Sequence, residues 1–156
     1  MSDSANDSIH LVCPSCEAVN KVQAERLKDK PVCGRCRQPL FPDVPVELTT
    51  ANFDRHVGRS DVPVLVDFWA PWCGPCRTMG PVIAEAVTAL APAVRVAKLD
   101  TEAETALAAR FAIRSIPTLA IFRRGALLQQ RSGAMPLPQL LAWVRQVVAA
   151  DAGRAR

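Results

Sequence analysis

The chain has 156 residues, 49% hydrophobic and 22% charged, with a formal net charge of +4. That length accommodates one compact domain of about 110 residues plus an appendage. The longest apolar run, Val62 to Ala70, is broken by Pro63 and Asp67 and falls far short of the roughly 20 residues of a membrane span, and the scattered basic residues do not make a nucleic-acid surface.

The polar, acidic start (Met1-Ser2-Asp3-Ser4) lacks the basic end and apolar centre of a secretory signal, so a cytoplasmic location is expected. Residues 1–9 are expected to be disordered. All six cysteines fall in three Cys-x-x-Cys pairs, Cys13/Cys16, Cys33/Cys36 and Cys73/Cys76. In a reducing compartment such pairs point to metal binding or redox chemistry rather than a disulfide framework. Sixteen residues separate Cys16 from Cys33, a spacing at which two knuckles set four thiolates around one zinc. A segment of about 40 residues buries little core and needs such a staple. Residues 1–40 are therefore predicted to form a module with one structural zinc on Cys13, Cys16, Cys33 and Cys36 and no bound organic cofactor. Two further redox pairs, or an unstructured tail, are the competing readings. His10 is expected to be solvated.

Residues 41–45 lie in a stretch where Pro39, Pro42 and Pro45 recur at every third position, predicting an extended, stiff connector. A second domain spans residues 46–150. Val46–Leu48 predicts a short strand, with Thr49 or Thr50 capping a helix to Gly58. Val64–Trp69 is nearly continuous in apolar residues, as in a strand buried on both faces. A long helix follows from about Cys73 to Leu90, kinked at Pro81. Then come a buried strand, Val94–Leu99, a helix, Glu102–Phe111, and a hairpin of Thr118–Phe122 with Leu127–Arg131. Leu137, Leu140, Leu141, Val144, Val147 and Val148 make the stripe of a last amphipathic helix, and residues 151–156 a tail. The order βαβαβαββα predicts an α/β fold, a mixed sheet with helices on both faces.

Trp72-Cys73-Gly74-Pro75-Cys76 falls where a buried strand gives way to a helix. A cysteine at a helix N-terminus meets unpaired backbone N–H groups, which stabilise its thiolate. Lowering the pKa from about 8.5 to about 7 raises the thiolate fraction at neutral pH from roughly 3% to about half. Cys73 is thus the expected nucleophile, and Cys76, one turn later, the group that resolves a mixed disulfide. Gly74 and Pro75 set the turn between them. A metal-ligand pair is the alternative, but no further ligands follow at suitable spacing. Asp67 stands in an otherwise apolar strand, where burial raises a carboxyl pKa and suits a base for the Cys76 proton. A partly solvated structural carboxylate is the other reading. Trp69 is expected in active-site packing or the plain core, and Trp72 in surface recognition.

From Val64 through Cys76 the sequence Val-Leu-Val-Asp-Phe-Trp-Ala-Pro-Trp-Cys-Gly-Pro-Cys resembles the thioredoxin family, and the likeness extends over residues 46 to about 150. It implies a thioredoxin fold and dithiol–disulfide exchange, with recharging by an NADPH-dependent thioredoxin reductase. Pro81 matches the kink in the active-site helix. Ile116-Pro117-Thr118 resembles the segment whose proline is cis and lies beside the sulfurs, where it offers backbone for pairing with an extended substrate. Gly125 and Gly133 match glycines of the hairpin and near the substrate groove, and Lys98 the lysine that tempers Asp67. Arg77 stands where lysine is common, and Ala112 and Ser115 where glycine often precedes the cis-proline. The two N-terminal pairs resemble the zinc-ribbon extension of the bacterial thioredoxin-2 type.

Together these readings predict a monomeric general protein-disulfide reductase, with protein disulfides and thioredoxin reductase as partners and a zinc module that selects partners or senses oxidation. The alternatives are a disulfide isomerase or oxidant, against which Gly74-Pro75 argues, and a binding or chaperone scaffold. Nucleic-acid binding through Lys28, Lys30, Arg35 and Arg37 lacks interleaved aromatic residues.

Overall fold

A computed structural model describes residues 7–154. Strands β1 (Ser8–Val12) and β2 (Val19–Gln23) pair antiparallel, and a 3-10 helix, Ala24–Asp29, follows. Each N-terminal Cys-x-x-Cys forms a tight turn of the same build. Glu17 N–H returns to the Cys13 carbonyl and Arg37 N–H to the Cys33 carbonyl, each at 2.9 Å. Glu17 and Arg37 both take left-handed backbone, φ 65° and 69°. Ser8 and Ile9 belong to β1 rather than to a loose tail, because Ile9 packs beside Leu11 and the strand's N–H groups find partners. The remainder of the expected disorder, residues 1–6, lies outside the described residues.

The larger sheet has the order β3-β5-β4-β6-β7, with β3 (Val46–Glu47), β5 (Arg95–Asp100) and β4 (Val64–Trp69) parallel. Strands β6 (Thr118–Arg123) and β7 (Ala126–Ser132) extend it antiparallel. Successive side chains along a strand face opposite sides. Leu65, Leu119 and Ile121 face α2 (Gly74–Leu90) and α4 (Leu137–Arg154), packing with Met79, Ile83, Leu140 and Val144. Val64, Val66, Phe68 and Phe122 face α1 (Phe53–Arg59) and α3 (Thr105–Arg110). There Phe53, Phe111 and Phe122 meet, Phe111 lying 5.1 Å and Phe53 5.6 Å from Phe122 between ring centroids. The predicted alternation of elements is the observed one.

Several details differ from the sequence reading. Neither Thr49 nor Thr50 caps α1. The Asn52 side chain instead accepts the Thr49 N–H (2.7 Å) and donates to the Glu47 carbonyl (3.0 Å), while the Thr50 N–H and hydroxyl turn to Glu104. The final helix runs through the expected tail to Arg154, held by an Arg123–Asp151 ion pair at 3.1 Å. Trp143, at the edge of the Leu/Val stripe, is buried in the same face and donates to Gln129.

Nor do the prolines hold the two parts at arm's length. Pro39 bridges to Val32, Leu40 is fully buried, and Val62, just before β4, completes the small module's core with Leu11, Cys13 and Cys33. Ser60 and Asp61, between α1 and β4, bind the backbone N–H groups of Val12 (3.1 Å) and His10 (2.7 Å).

Candidate active site and metal centre

The end of β4 delivers the chain to α2 through Ala70-Pro71-Trp72, and Cys73 occupies the N-cap position with extended backbone (φ −85°, ψ 117°). Pro75 falls in the first turn, where its missing N–H costs nothing. Cys73 and Cys76 are joined by a disulfide, with Cα atoms 5.2 Å apart. The Cys76 N–H donates to Cys73 Sγ at 3.2 Å, one of the orphan amides of the helix start. This donor is the kind that stabilises a thiolate once the bond is reduced. Both sulfurs are enclosed with Ala70, and Trp69 and Ile116 pack against them.

Cys73 Sγ lies 3.8 Å from the Ile116 carbonyl oxygen, and the Ile116–Pro117 bond is cis. Gly133, at φ 99°, donates its N–H to the Pro117 carbonyl at 2.8 Å. A side chain is strained in that backbone conformation, so glycine suits the position. The Thr118 hydroxyl donates to the Ser115 carbonyl at 2.6 Å. Trp72 projects beside the disulfide with 64% of its surface exposed. Ala112, one of the two departures from glycine, also takes left-handed backbone (φ 53°).

Asp67 is 1% exposed and shares the α2-facing side of β4 with Leu65 and Trp69. Among the described residues, neither of its carboxylate oxygens has a hydrogen-bond partner. Burial pushes its pKa up to about 6 against the opposing pull of Lys98. Lys98 is its register partner on β5, and its Nζ sits 4.2 Å from the centroid of the Trp69 ring. The site thus assembles Cys73, Cys76, Gly74, Pro75, Trp69, Trp72, Ile116 and Pro117 around the sulfurs. Asp67 and Lys98 lie on the strands behind, and Gly133 fixes the Pro117 carbonyl.

The four remaining cysteine sulfurs lie within 4.8 Å of one another. Cys13 and Cys36 approach to 3.6 Å, as do Cys16 and Cys33. Sulfurs on a tetrahedron about 2.3 Å from a central zinc are about 3.8 Å apart, so the donor set and its spacing fit that ion. The Ser15 and Cys16 N–H groups point at Cys13 Sγ (3.3 and 3.5 Å), and those of Arg35 and Cys36 at Cys33 Sγ (3.3 and 3.5 Å). The Cys36 N–H foremost, then the Asn20 amide and the Arg35 N–H, draw the Cys33 thiol down to about 6. His10 is not merely solvated: its Nδ1 lies 3.4 Å from Asp61.

One residue that sequence reasoning missed joins the small module to the larger domain. Arg95, the first residue of β5, is 3% exposed and reaches into the small module. Burial draws its pKa down to about 10, and the Cys13 sulfur acts the other way. An arginine at the start of a predicted strand carries no sequence signal for this role.

Residues 44–146 match the family model described as thioredoxin, and residues 12–38 the one described as thioredoxin 2, N-terminal. Thioredoxin C-3 of Corynebacterium nephridii is 45% identical over 136 residues, covering 87% of this chain and 93% of the relative. Thioredoxin of Haemophilus influenzae is 39% identical over 101 residues, 65% of this chain and 94% of the relative. Thioredoxin of Alicyclobacillus acidocaldarius is 46% identical over 101 residues, 65% and 95%.

Proposed function

The chain belongs to the thioredoxin family and is a thiol–disulfide oxidoreductase, and within that class we propose that it is a general protein-disulfide reductase recharged by NADPH-dependent thioredoxin reductase. The observation that carries this reading is the Cys73–Cys76 pair at the start of α2, one sulfur at the helix N-cap beside an exposed tryptophan.

In the reduced form the Cys73 thiolate attacks one sulfur of a substrate disulfide. A Cys73–substrate bond forms, the substrate S–S bond breaks, and one substrate thiolate leaves. Cys76 loses its proton and attacks Cys73 Sγ, which releases the second substrate thiolate and leaves the Cys73–Cys76 disulfide. Two electrons pass from the dithiol to the substrate. Asp67 takes the Cys76 proton, directly or through water. With its pKa near 6 it is mainly ionised at neutral pH yet basic enough to accept one. Lys98 holds that pKa from rising further. Trp72, Ile116, Pro117 and Gly133 form the surface that meets the substrate.

In the module, Cys13, Cys16, Cys33 and Cys36 hold one zinc. Four sulfur ligands leave the metal no open position, so it serves structure and not catalysis. The module tunes partner choice or senses oxidation. Among the described residues no helix is long and apolar enough to cross a membrane. The three Cys-x-x-Cys pairs suit a reducing compartment, which supports the cytoplasm as the place where the chain acts, as a monomer. Cys76→Ser tests the assignment of roles. It is expected to accumulate mixed disulfides with protein substrates, while Cys73→Ser accumulates none; the reverse pattern would exchange the two roles.

A further inference from the structure

Among the described residues, Arg95 is a buried cation whose three hydrogen-bond acceptors are all neutral oxygens. Its Nη1 donates to the Val12 carbonyl at 2.7 Å and to Ser60 Oγ at 3.4 Å, and its Nη2 donates to the Leu40 carbonyl. The Phe41 ring covers it, centroid 5.3 Å from Cζ. A buried guanidinium without a counter-charge is costly to fold around, yet both carbonyls it grips come from the cysteine module, and Val12 directly precedes Cys13. Cys13 is close enough to act on it electrostatically. Four thiolates around Zn2+ carry a net charge of −2, so a loaded module sets an anion beside this cation.

We propose that Arg95 is the counter-charge of the zinc–thiolate centre, so that zinc in the small module and the anchoring of β5 in the redox domain stabilise each other. The inference rests on the zinc reading given above. Its consequence is that the module is not an independent appendage: the strand it anchors is the one that carries Lys98 opposite Asp67. Removing zinc takes away the anionic centre that faces Arg95, and removing Arg95 leaves the thiolate centre without its cation.

The test uses the full chain, with the Cys73–Cys76 disulfide formed and the four module cysteines reduced, as wild type, Arg95→Met and Arg95→Lys. Zinc affinity is measured by competition with a chromophoric chelator, and thermal midpoints are measured with zinc and with EDTA. Arg95→Met is expected to bind zinc at least about tenfold more weakly and to lose at least half of the zinc-dependent rise in Tm. Arg95→Lys, which keeps the charge, is expected to recover most of both. Wild-type affinity and an undiminished Tm rise in Arg95→Met would overturn the proposal while leaving the zinc reading intact. A lysine variant that behaves like methionine would assign the effect to the guanidinium's hydrogen bonds and overturn the role of charge. If the wild type holds no stoichiometric zinc, the zinc reading and this inference fall together. Should Arg95→Met not fold, amide exchange in the wild type decides. Chelation is expected to speed exchange at the Arg95 N–H, which is bonded to the Pro63 carbonyl at 2.9 Å, severalfold. Unchanged protection there overturns the coupling.

Discussion

Replacing Asp67 by asparagine is expected to stabilise the oxidised protein at about pH 7.5 and to change little near pH 4. The carboxyl is 1% exposed, its oxygens have no hydrogen-bond partner among the described residues, and burial holds its pKa at about 6 against an ordinary 3.8 despite Lys98. A raised carboxyl pKa favours the folded state only while the group is protonated. That contribution is complete below about pH 3.8 and is lost as pH climbs through about 6. About two pKa units at 1.36 kcal/mol each come to ~3 kcal/mol, less whatever the buried amide of asparagine costs. The wild-type profile alone would hide the effect, because His56 titrates in the opposite sense. It is buried, with both ring nitrogens unpartnered, and burial first, then the charges of Arg95 and Arg55, pull it down to about 4. Its contribution is complete above about pH 6.5 and lost as pH falls through about 4. The difference between variant and wild type cancels His56 and the module thiols alike. Urea unfolding with the disulfide intact, repeated across this pH range, gives that difference directly. Curves that stay parallel would refute the claim that Asp67 titrates near 6 because it is buried and unpartnered.

Lys98→Met removes the charge that pulls the Asp67 pKa down, so the Asp67 midpoint, read by carboxyl NMR in the oxidised protein, is expected to rise above its wild-type value. Ala112→Gly relieves a left-handed alanine and is expected to raise stability by about 0.5–1 kcal/mol after the added entropy of the unfolded chain, visible as a rise in Tm. No gain would mean that the backbone at Ala112 is held at no cost.

What the sequence revealed and what it concealed follow from how each property is encoded. Strand β4 was readable because a strand buried on both faces needs an unbroken run of apolar residues, and Asp67 stood out as the exception within it. The cysteine spacings carried both centres, since a dithiol and a tetrahedral site each demand particular separations. The start of α1 is not legible in the sequence because two threonines offer a cap, whereas the Asn52 side chain takes the bonds and Thr50 is drawn to Glu104, distant in sequence. Trp143 escaped notice because a long ring reaches the core from the edge of a stripe. Proline spacing predicts an extended, stiff connector at a module boundary and carries no sign that Leu40 and Val62 share a buried core. Arg95 was invisible because its importance lies in carbonyls 83 and 55 residues away along the chain. Local pattern encodes elements, but not the long-range partner of a single polar side chain.

In the proposed function, Cys73 and Cys76 pass electrons from thioredoxin reductase to protein disulfides. The most direct measurement is NADPH consumption in the presence of that reductase and a protein disulfide, with the full zinc-loaded chain beside Cys73→Ser. Sustained turnover by the wild type, abolished by the substitution, is the predicted result. Turnover that survives in Cys73→Ser, or none in a folded, zinc-loaded wild type, would contradict it.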